Sequence, residues 1–195
     1  MTESGHPTSN QFAEFDPHAA PNSAIRGVGG LVVRRAFESD LEELARLAQE
    51  RNNGEHEDWR AHFEHQRVLE EQSREAILRV ASLGDRILGY GKANYFAPPE
   101  TSPENVAPEG WYLTGVVVRP EFRRRGVGAA LTLARLQQIS QLANHAFYFA
   151  NAQNRVSIEL HRPFGFVEQT RDFWYPKVEF TGGVGVLYRC ELAPL

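Results

Sequence analysis

The sequence predicts one mixed α/β (α+β) domain, and three observations carry that prediction. Seven short runs rich in branched and aromatic residues are interleaved with four segments of helical periodicity, in the order β-αα-βββ-α-β-α-ββ. That order builds a sheet with helices packed on it. Hydrophobic residues make up 42% and charged residues 24% of 195 residues, a balance that suits a folded domain of ordinary size and excludes a disordered chain. No run approaches the roughly 18 apolar residues of a membrane span. A single cysteine, Cys190, excludes a disulfide framework and a Cys-rich zinc site within one chain, and points to a reducing cytoplasm.

Residues 1–30 are rich in Gly, Pro, Ser, Asn and His and lack periodicity. They are expected to form a flexible tail, with the domain spanning 31–195. The first residues show neither a basic nor an apolar segment, so a secretory signal is not expected. Leu31-Val32-Val33 opens the fold as a strand. Ser39-Asp40-Leu41-Glu42 fits a capping box, and Leu41, Leu44, Ala45 and Ala48 follow at helical spacing to about Asn52. Asn53-Gly54 breaks that helix. A more polar helix follows over 55–72, with Trp59 and Phe63 inward. Strands are expected over 76–82 and 87–96, joined by Gly84-Asp85 as a two-residue turn. Residues 97–110 hold four prolines and read as a loop. Trp111 to Val118 is a strongly apolar strand, residues 126–142 a helix, 146–150 a strand and 154–162 a short helix. Residues 166–173 and 184–192 close the domain as strands.

Charge is unevenly spread. Residues 1–110 carry 19 acidic and 11 basic side chains, whereas 111–195 carry 6 and 10. With a net charge of −4, a global nucleic-acid footprint is excluded, but a local anion site in the second half stays open. That site is legible in Val116-Val117-Val118-Arg119-Pro120-Glu121-Phe122-Arg123-Arg124-Arg125-Gly126-Val127-Gly128. An apolar strand runs into a basic, glycine-punctuated turn that opens a helix. First-turn amides lack internal partners, and the helix dipole adds partial positive charge there. Gly126 and Gly128 let backbone approach an anion, and Arg123, Arg124 and Arg125 add forked donors. A Walker loop is excluded because Gly-Lys-Ser/Thr is missing, and a dinucleotide fingerprint because Leu131 stands where a small residue is needed.

The Arg-x-x-Gly-x-Gly turn resembles the acetyl-CoA motif of the GCN5-related N-acetyltransferase (GNAT) superfamily. Asn154-Arg155-Val156-Ser157-Ile158-Glu159-Leu160-His161-Arg162-Pro163-Phe164-Gly165-Phe166 is similar to that family's second signature, Asn-x-x-Ala/Ser-x-x-Leu-Tyr/His-x-x-x-Gly-Phe. Ser157 to His161 also resembles the phosphinothricin-acetyltransferase branch. The resemblance implies a mixed, mostly antiparallel sheet of about seven strands, splayed between the fourth and fifth. It implies acetyl-CoA as cosubstrate, with pantetheine along Val116, Val117 and Val118. The pyrophosphate would lie on the amides of Arg124, Arg125, Gly126, Val127, Gly128 and Ala129, with Asn154 and Ser157 flanking the thiol end. The implied reaction is direct attack by the primary amine of a small molecule (an amino acid, polyamine or amine-bearing antibiotic) on the thioester. A protein acceptor, or a CoA-binding module without turnover, are the alternatives. Nucleic-acid and membrane partners are not expected, and a homodimer stays open.

His161 stands where many members carry a tyrosine acid, and imidazole titrates near neutrality. Pro163 is expected to end the helix early and re-aim it. Tyr112, two residues before Thr114 on one strand face, is the candidate base, with Glu109 just before it. Cys190 reads as a core residue. No metal is expected: His56 opens an HExxR, not a zincin motif, and His62 and His65 read as polar helix surface. Phe173-Trp174-Tyr175-Pro176 reads as packing or as a wall of the acceptor pocket.

Overall fold

A computed structural model gives the fold and describes residues 28–52, 54–180 and 183–193. Nearly all of the expected tail therefore lies outside the described residues, as does Asn53. In chain order the elements are β1 (Leu31–Arg35), α1 (Leu41–Arg51), α2 (His56–Gln72), β2 (Ala76–Leu83), β3 (Arg86–Phe96), β4 (Gly110–Val118), α3 (Val127–Ile139), β5 (His145–Asn151), α4 (Arg155–His161), β6 (Val167–Thr170) and β7 (Gly185–Glu191). They build the expected mixed sheet, in the order β1-β2-β3-β4-β5-β7-β6. Only β4 and β5 run parallel.

Local chemistry sets most boundaries. Leu83 pairs with Arg86 across Gly84-Asp85, and Gly84 takes φ +57 there. The start of α1 differs from expectation. Ser39 sits inside a 3-10 turn over Glu38–Asp40 and does not cap the helix. Asp40 stands at the N-cap position with no side-chain bond to the helix; its carboxylate closes the 3-10 turn, where Phe37 N donates to Oδ2 at 2.7 Å and Arg34 donates to both oxygens at 2.6 and 2.9 Å. These bonds hold its carboxyl below the usual range against the opposing effect of burial. At the other end of the domain, α4 stops at His161. A 3-10 turn carries Pro163, and Gly165 closes it at φ +78. Pro163 lacks a backbone N–H, so it fits the turn better than a longer helix.

The helices pack on two faces. α1 and α2 cover Leu78, Val80, Tyr90 and Val117 through Leu44, Leu47, Ala48 and Phe63. On the other face Leu131, Leu136 and Ile139 of α3 and Ile158 of α4 meet the rest of the sheet. Beyond β4 the α1–α2 face is covered by aromatic side chains, in which Phe96, Tyr112 and Phe147 meet Phe149, Phe173 and Tyr175.

The sheet opens at its middle. β4 and β5 share one registered pair, Tyr112 with Phe147. Past it, Thr114 is an extra residue in β4: Lys92 faces Gly115 while Ala93 faces Leu113. Such a bulge bends a strand and raises its local twist. Here it turns the second half of β4 away from β5. Burial follows the split, because 110–113 are buried while Gly115, in the centre of a central strand, is exposed. Gly115 takes φ +145, a conformation that L side chains rarely adopt.

Candidate active site

Three features meet at the opening between β4 and β5. The first is the strand edge itself. Val116 and Val118 pair with Gly91 and Gly89 of β3, leaving their β5-facing edge without a registered partner among the described residues. An open edge inside a sheet is a template for an extended ligand.

The second is the turn that follows. Gly126 caps α3 at φ +82, and Arg124 also takes a positive φ, +58. The first helical bond at this end runs from Ala130 N to Gly126 O. The amides of Val127, Gly128 and Ala129 are therefore the unsatisfied first-turn donors. Arg123, Arg124 and Arg125 are exposed around them. Arg123 Nε donates to Val118 O at 3.1 Å, Arg124 meets Glu159 at 3.3 Å, and Arg125 lies over the Phe122 ring. Gly128 has a second reason to be glycine: a Cβ there would meet Leu160 Cδ1 at 3.4 Å, so it also sets how closely α3 approaches α4. An anion can reach this turn from solvent and find both backbone donors and mobile guanidinium groups.

The third feature was missed by sequence reasoning. Arg135 of α3 has 0% exposure. Its Nη1 donates to Lys92 O at 2.8 Å and Gly115 O at 3.1 Å, the two carbonyls beside the bulge. Nε donates to Leu131 O and Nη2 to Thr132 Oγ1, both at 3.0 Å. Burial pulls its pKa down to about 9, which leaves the guanidinium charged at pH 7. A Cβ at Gly91 would come 2.8 Å from its Nε, so Gly91 provides the space. The sequence signal was an arginine on the apolar stripe of α3.

The predicted residues fall into two groups. Val116, Val117, Val118, Arg123, Arg124, Arg125, Gly126, Val127, Gly128 and Ala129 follow one another along β4, the turn after it and the start of α3; Val117 and Val127 are buried in the core, and the others are half-buried or exposed. Asn154 caps α4, accepting from Ser157 N at 3.1 Å, and Ser157 O accepts from His161 Nδ1 at 2.8 Å. The two candidate acid–base residues sit in other settings. His161 is buried, stacked on Tyr148 at 4.1 Å, with Phe166 edge-on at 5.6 Å. Burial pushes its pKa down to about 3, and the Arg135 charge adds to the effect. With Nδ1–H given to Ser157, Nε2 carries a lone pair and has no partner. The imidazole is neutral at pH 7 and holds no proton to give from that atom. Tyr112 is fully buried, stacked on Phe147, and its hydroxyl donates to Pro108 O at 2.6 Å. Burial raises its pKa well above the ordinary tyrosine value, so it offers no base at neutral pH. Glu109 accepts a hydrogen bond from Tyr95 at 2.6 Å.

Cys190 is buried in the core and burial pushes its thiol up to about 12. Among the described residues no three His, Cys, Asp or Glu side chains are placed to share a metal ion, and no helix is long and apolar enough to cross a membrane. Phe173 and Tyr175 wall the aromatic face beside Tyr112. Trp174 links this segment to the 97–109 loop: Ala107 N donates to its carbonyl, and its N donates to Asn105 O, both at 2.8 Å.

A split sheet with a basic, donor-rich turn at the end of the split strand defines a class that comparison makes explicit. The model of the acetyltransferase (GNAT) family matches residues 33–166, and the chain belongs to that family. No curated protein matches the chain. Among solved structures it is similar to a GNAT superfamily phosphinothricin acetyltransferase from Sinorhizobium meliloti in complex with acetyl-CoA. That match has 17% identity and a TM-score of 0.62, covering 84% of this chain and 89% of that one. It is also similar to RimL, a ribosomal L7/L12 α-N-protein acetyltransferase in complex with coenzyme A, at 14% identity and TM-score 0.63 over 86% and 97% of the two chains. A third is the PaiA N-acetyltransferase of Thermoplasma acidophilum with coenzyme A, at 15% identity and TM-score 0.58 over 83% and 98%. At these identities the likeness concerns the fold.

Proposed function

We propose that the chain is an acetyl-CoA-dependent N-acetyltransferase that acts on the amine of a small molecule. The observation that carries this reading is the continuity of the opened β4 edge with the donor turn at α3. One strand thus leads from an extended-ligand template to an anion site. Coenzyme A has that shape and charge, a linear pantetheine arm ending in a pyrophosphate, and the solved neighbours carry coenzyme A or acetyl-CoA.

The residues divide the task. Backbone groups of Val116 and Val118 hold the arm. The amides of Val127, Gly128 and Ala129, with Arg123, Arg124 and Arg125, hold the phosphates through charge-assisted bonds. Asn154 and Ser157 fix the start of α4 at the rim. Bound acetyl-CoA supplies an acetyl thioester, an acyl group activated toward amines. The only thiol is buried and strongly protonated, which supports direct transfer rather than an acyl-enzyme. The backbone bonds between Trp174 and the 97–109 loop fix that loop beside the aromatic side chains, which supports a small acceptor over a folded protein.

Two measurements test this. Titration calorimetry should show coenzyme A binding, and a thiol-release assay with acetyl-CoA should show turnover on small amines above that on amino-terminal and lysyl peptides. Binding without release on any amine would leave a coenzyme A module; faster release on peptides would make it a protein acetyltransferase.

A further inference from the structure

On the α2-facing surface of β3 and β4, beside the bulge, lies a polar cluster that the coenzyme A site does not use. Lys92 Nζ is 2.7 Å from His62 Nε2. Asn94 Nδ2 donates to Gln66 Oε1 at 2.8 Å, and Thr114 Oγ1 donates to Asn94 Oδ1 at 2.8 Å. Gln66 is buried and the other four are half-buried. Such groups cost free energy away from water unless they are matched, and the Gln66–Asn94–Thr114 chain is.

The Lys92–His62 pair is matched only to itself. Burial and the Lys92 charge push His62 down to about 4, so its ring is neutral and Nε2 accepts from the ammonium. Burial alone brings Lys92 down to about 8, which leaves it mostly protonated at pH 7. An ammonium has three donors, and His62 takes one. No carboxylate pairs with Lys92 or His62 among the described residues. The acids of α1 and α2 pair with arginines instead, among them Glu42 with Arg60, Glu64 with Arg67, and Glu70 with Arg79. The other charged group facing His62 is His65, which is exposed and of the same sign when charged.

The lysine stem also lies across Gly115, its partner on β4, before Nζ reaches His62 on α2. Its Cε lies 3.9 Å from where a Cβ on Gly115 would stand, so it passes over the one exposed position of the split strand. A half-buried cation with spare donors beside a solvent opening is a receptor for an anion. A polyamine would meet repulsion there.

We propose that Lys92, oriented by His62, binds the carboxylate of the acceptor, so that the acceptor is an amino acid rather than a purely cationic amine. This deepens the acetyl-transfer reading above and rests on it. His62 is a positioning residue. Gln66, Asn94 and Thr114 form the fixed polar wall that keeps β3 and β4 in register with α2.

The test separates the two levels. Coenzyme A affinity, by calorimetry, bears on the acetyl-transfer reading alone. For Lys92, thiol release is measured on the proteinogenic amino acids, on their α-amides and on spermidine. N-acetylated acids and amides are also titrated into the protein, with coenzyme A where it binds and without it otherwise. The best acid should exceed its amide in kcat/KM by about tenfold or more, mainly through KM, as loss of one charge-assisted contact implies. Lys92→Met should erase that gap in both turnover and binding, with coenzyme A affinity unchanged. Lys92→Arg should keep it and shows that the effect is charge rather than fold. Equal use of acid and amide, preference for spermidine, no binding of any acid, or a gap that survives Lys92→Met would each overturn the proposal.

Discussion

At 0% exposure and without a carboxylate partner among the described residues, Arg135 holds a full charge in the interior by giving its donors to four oxygens. Two of them belong to the bulge that opens the sheet. Replacing it with methionine keeps the volume but strands the carbonyls of Lys92 and Gly115. Arg135→Met should therefore cost about 2–4 kcal/mol in urea unfolding, the range for removing buried charge-assisted bonds, and should weaken coenzyme A binding through a looser bulge. Unchanged stability would mean that the bulge stands without it. His161 bears on pH. Its folded pKa lies near 3 and that of His62 near 4, both below the exposed value of 6.5. The unfolded chain thus takes up protons first as pH falls, and the stability these groups contribute is complete above 6.5 and lost on the way down to about 4 for His62 and about 3 for His161. The slope approaches about 1.4 kcal/mol per pH unit for each group. His161→Phe should flatten that fall between pH 6.5 and 4.5, read from urea midpoints. It should also leave kcat within about threefold, far short of the 10²–10⁴-fold worth of a positioned acid. A large loss of kcat with chemistry rate-limiting would restore His161 as the acid.

Among the elements, α3 carries the proposed anion site at one end and the bulge clamp in its third turn. Its N-terminus depends on Gly126, because φ +82 is strained for any residue with a Cβ. Gly126→Val should cost on the order of 1–2 kcal/mol and turn the following amides away, lowering coenzyme A affinity at least tenfold in calorimetry. Near-native affinity would remove this turn from the site. The turn was legible because its chemistry is written locally, in glycines, arginines and the end of an apolar strand. Element order was legible for the same reason, each strand and helix being set by its own periodicity. The start of α1 was not: Ser39 fits the local pattern, but Arg34 on β1 and the Phe37 amide hold Asp40, and a 3-10 turn precedes the helix. Nor was the Lys92–His62 pair. Lys92 looks like an outward residue of an alternating strand and His62 like helix surface, and only the packing of α2 over β3 brings them to 2.7 Å. His161 and Tyr112 were singled out from a motif and a strand face, yet burial, which no local pattern reports, gives each a neutral side chain with its proton already engaged.

As a whole, the molecule is two sub-sheets hinged at one backbone pair. β1 to β4 form one and β5, β7 and β6 the other, and Tyr112 opposite Phe147 is where they join. α3 supports the first through β2, β3 and β4, while α4 closes on the second through Ile158 and the Tyr148 stack at His161. Residues 115–118 of β4 thereby have a registered strand partner on one side only among the described residues, and amides at such an edge open at low free energy compared with the core. A ligand filling the split would bond that edge and bridge both halves at once. In hydrogen exchange, amides of 114–118 and of the α3 first turn should exchange faster than those of 76–81 and 87–93 in the free protein. Saturating acetyl-CoA should slow them selectively. At a concentration 100 times its Kd it should add about 2.7 kcal/mol to the unfolding free energy and raise the Tm by a few degrees. Protection centred on the far edge, around Arg34 and Asp40, would place the ligand elsewhere. Protection confined to the α3 turn would mean that phosphate is held while the split strand is not used.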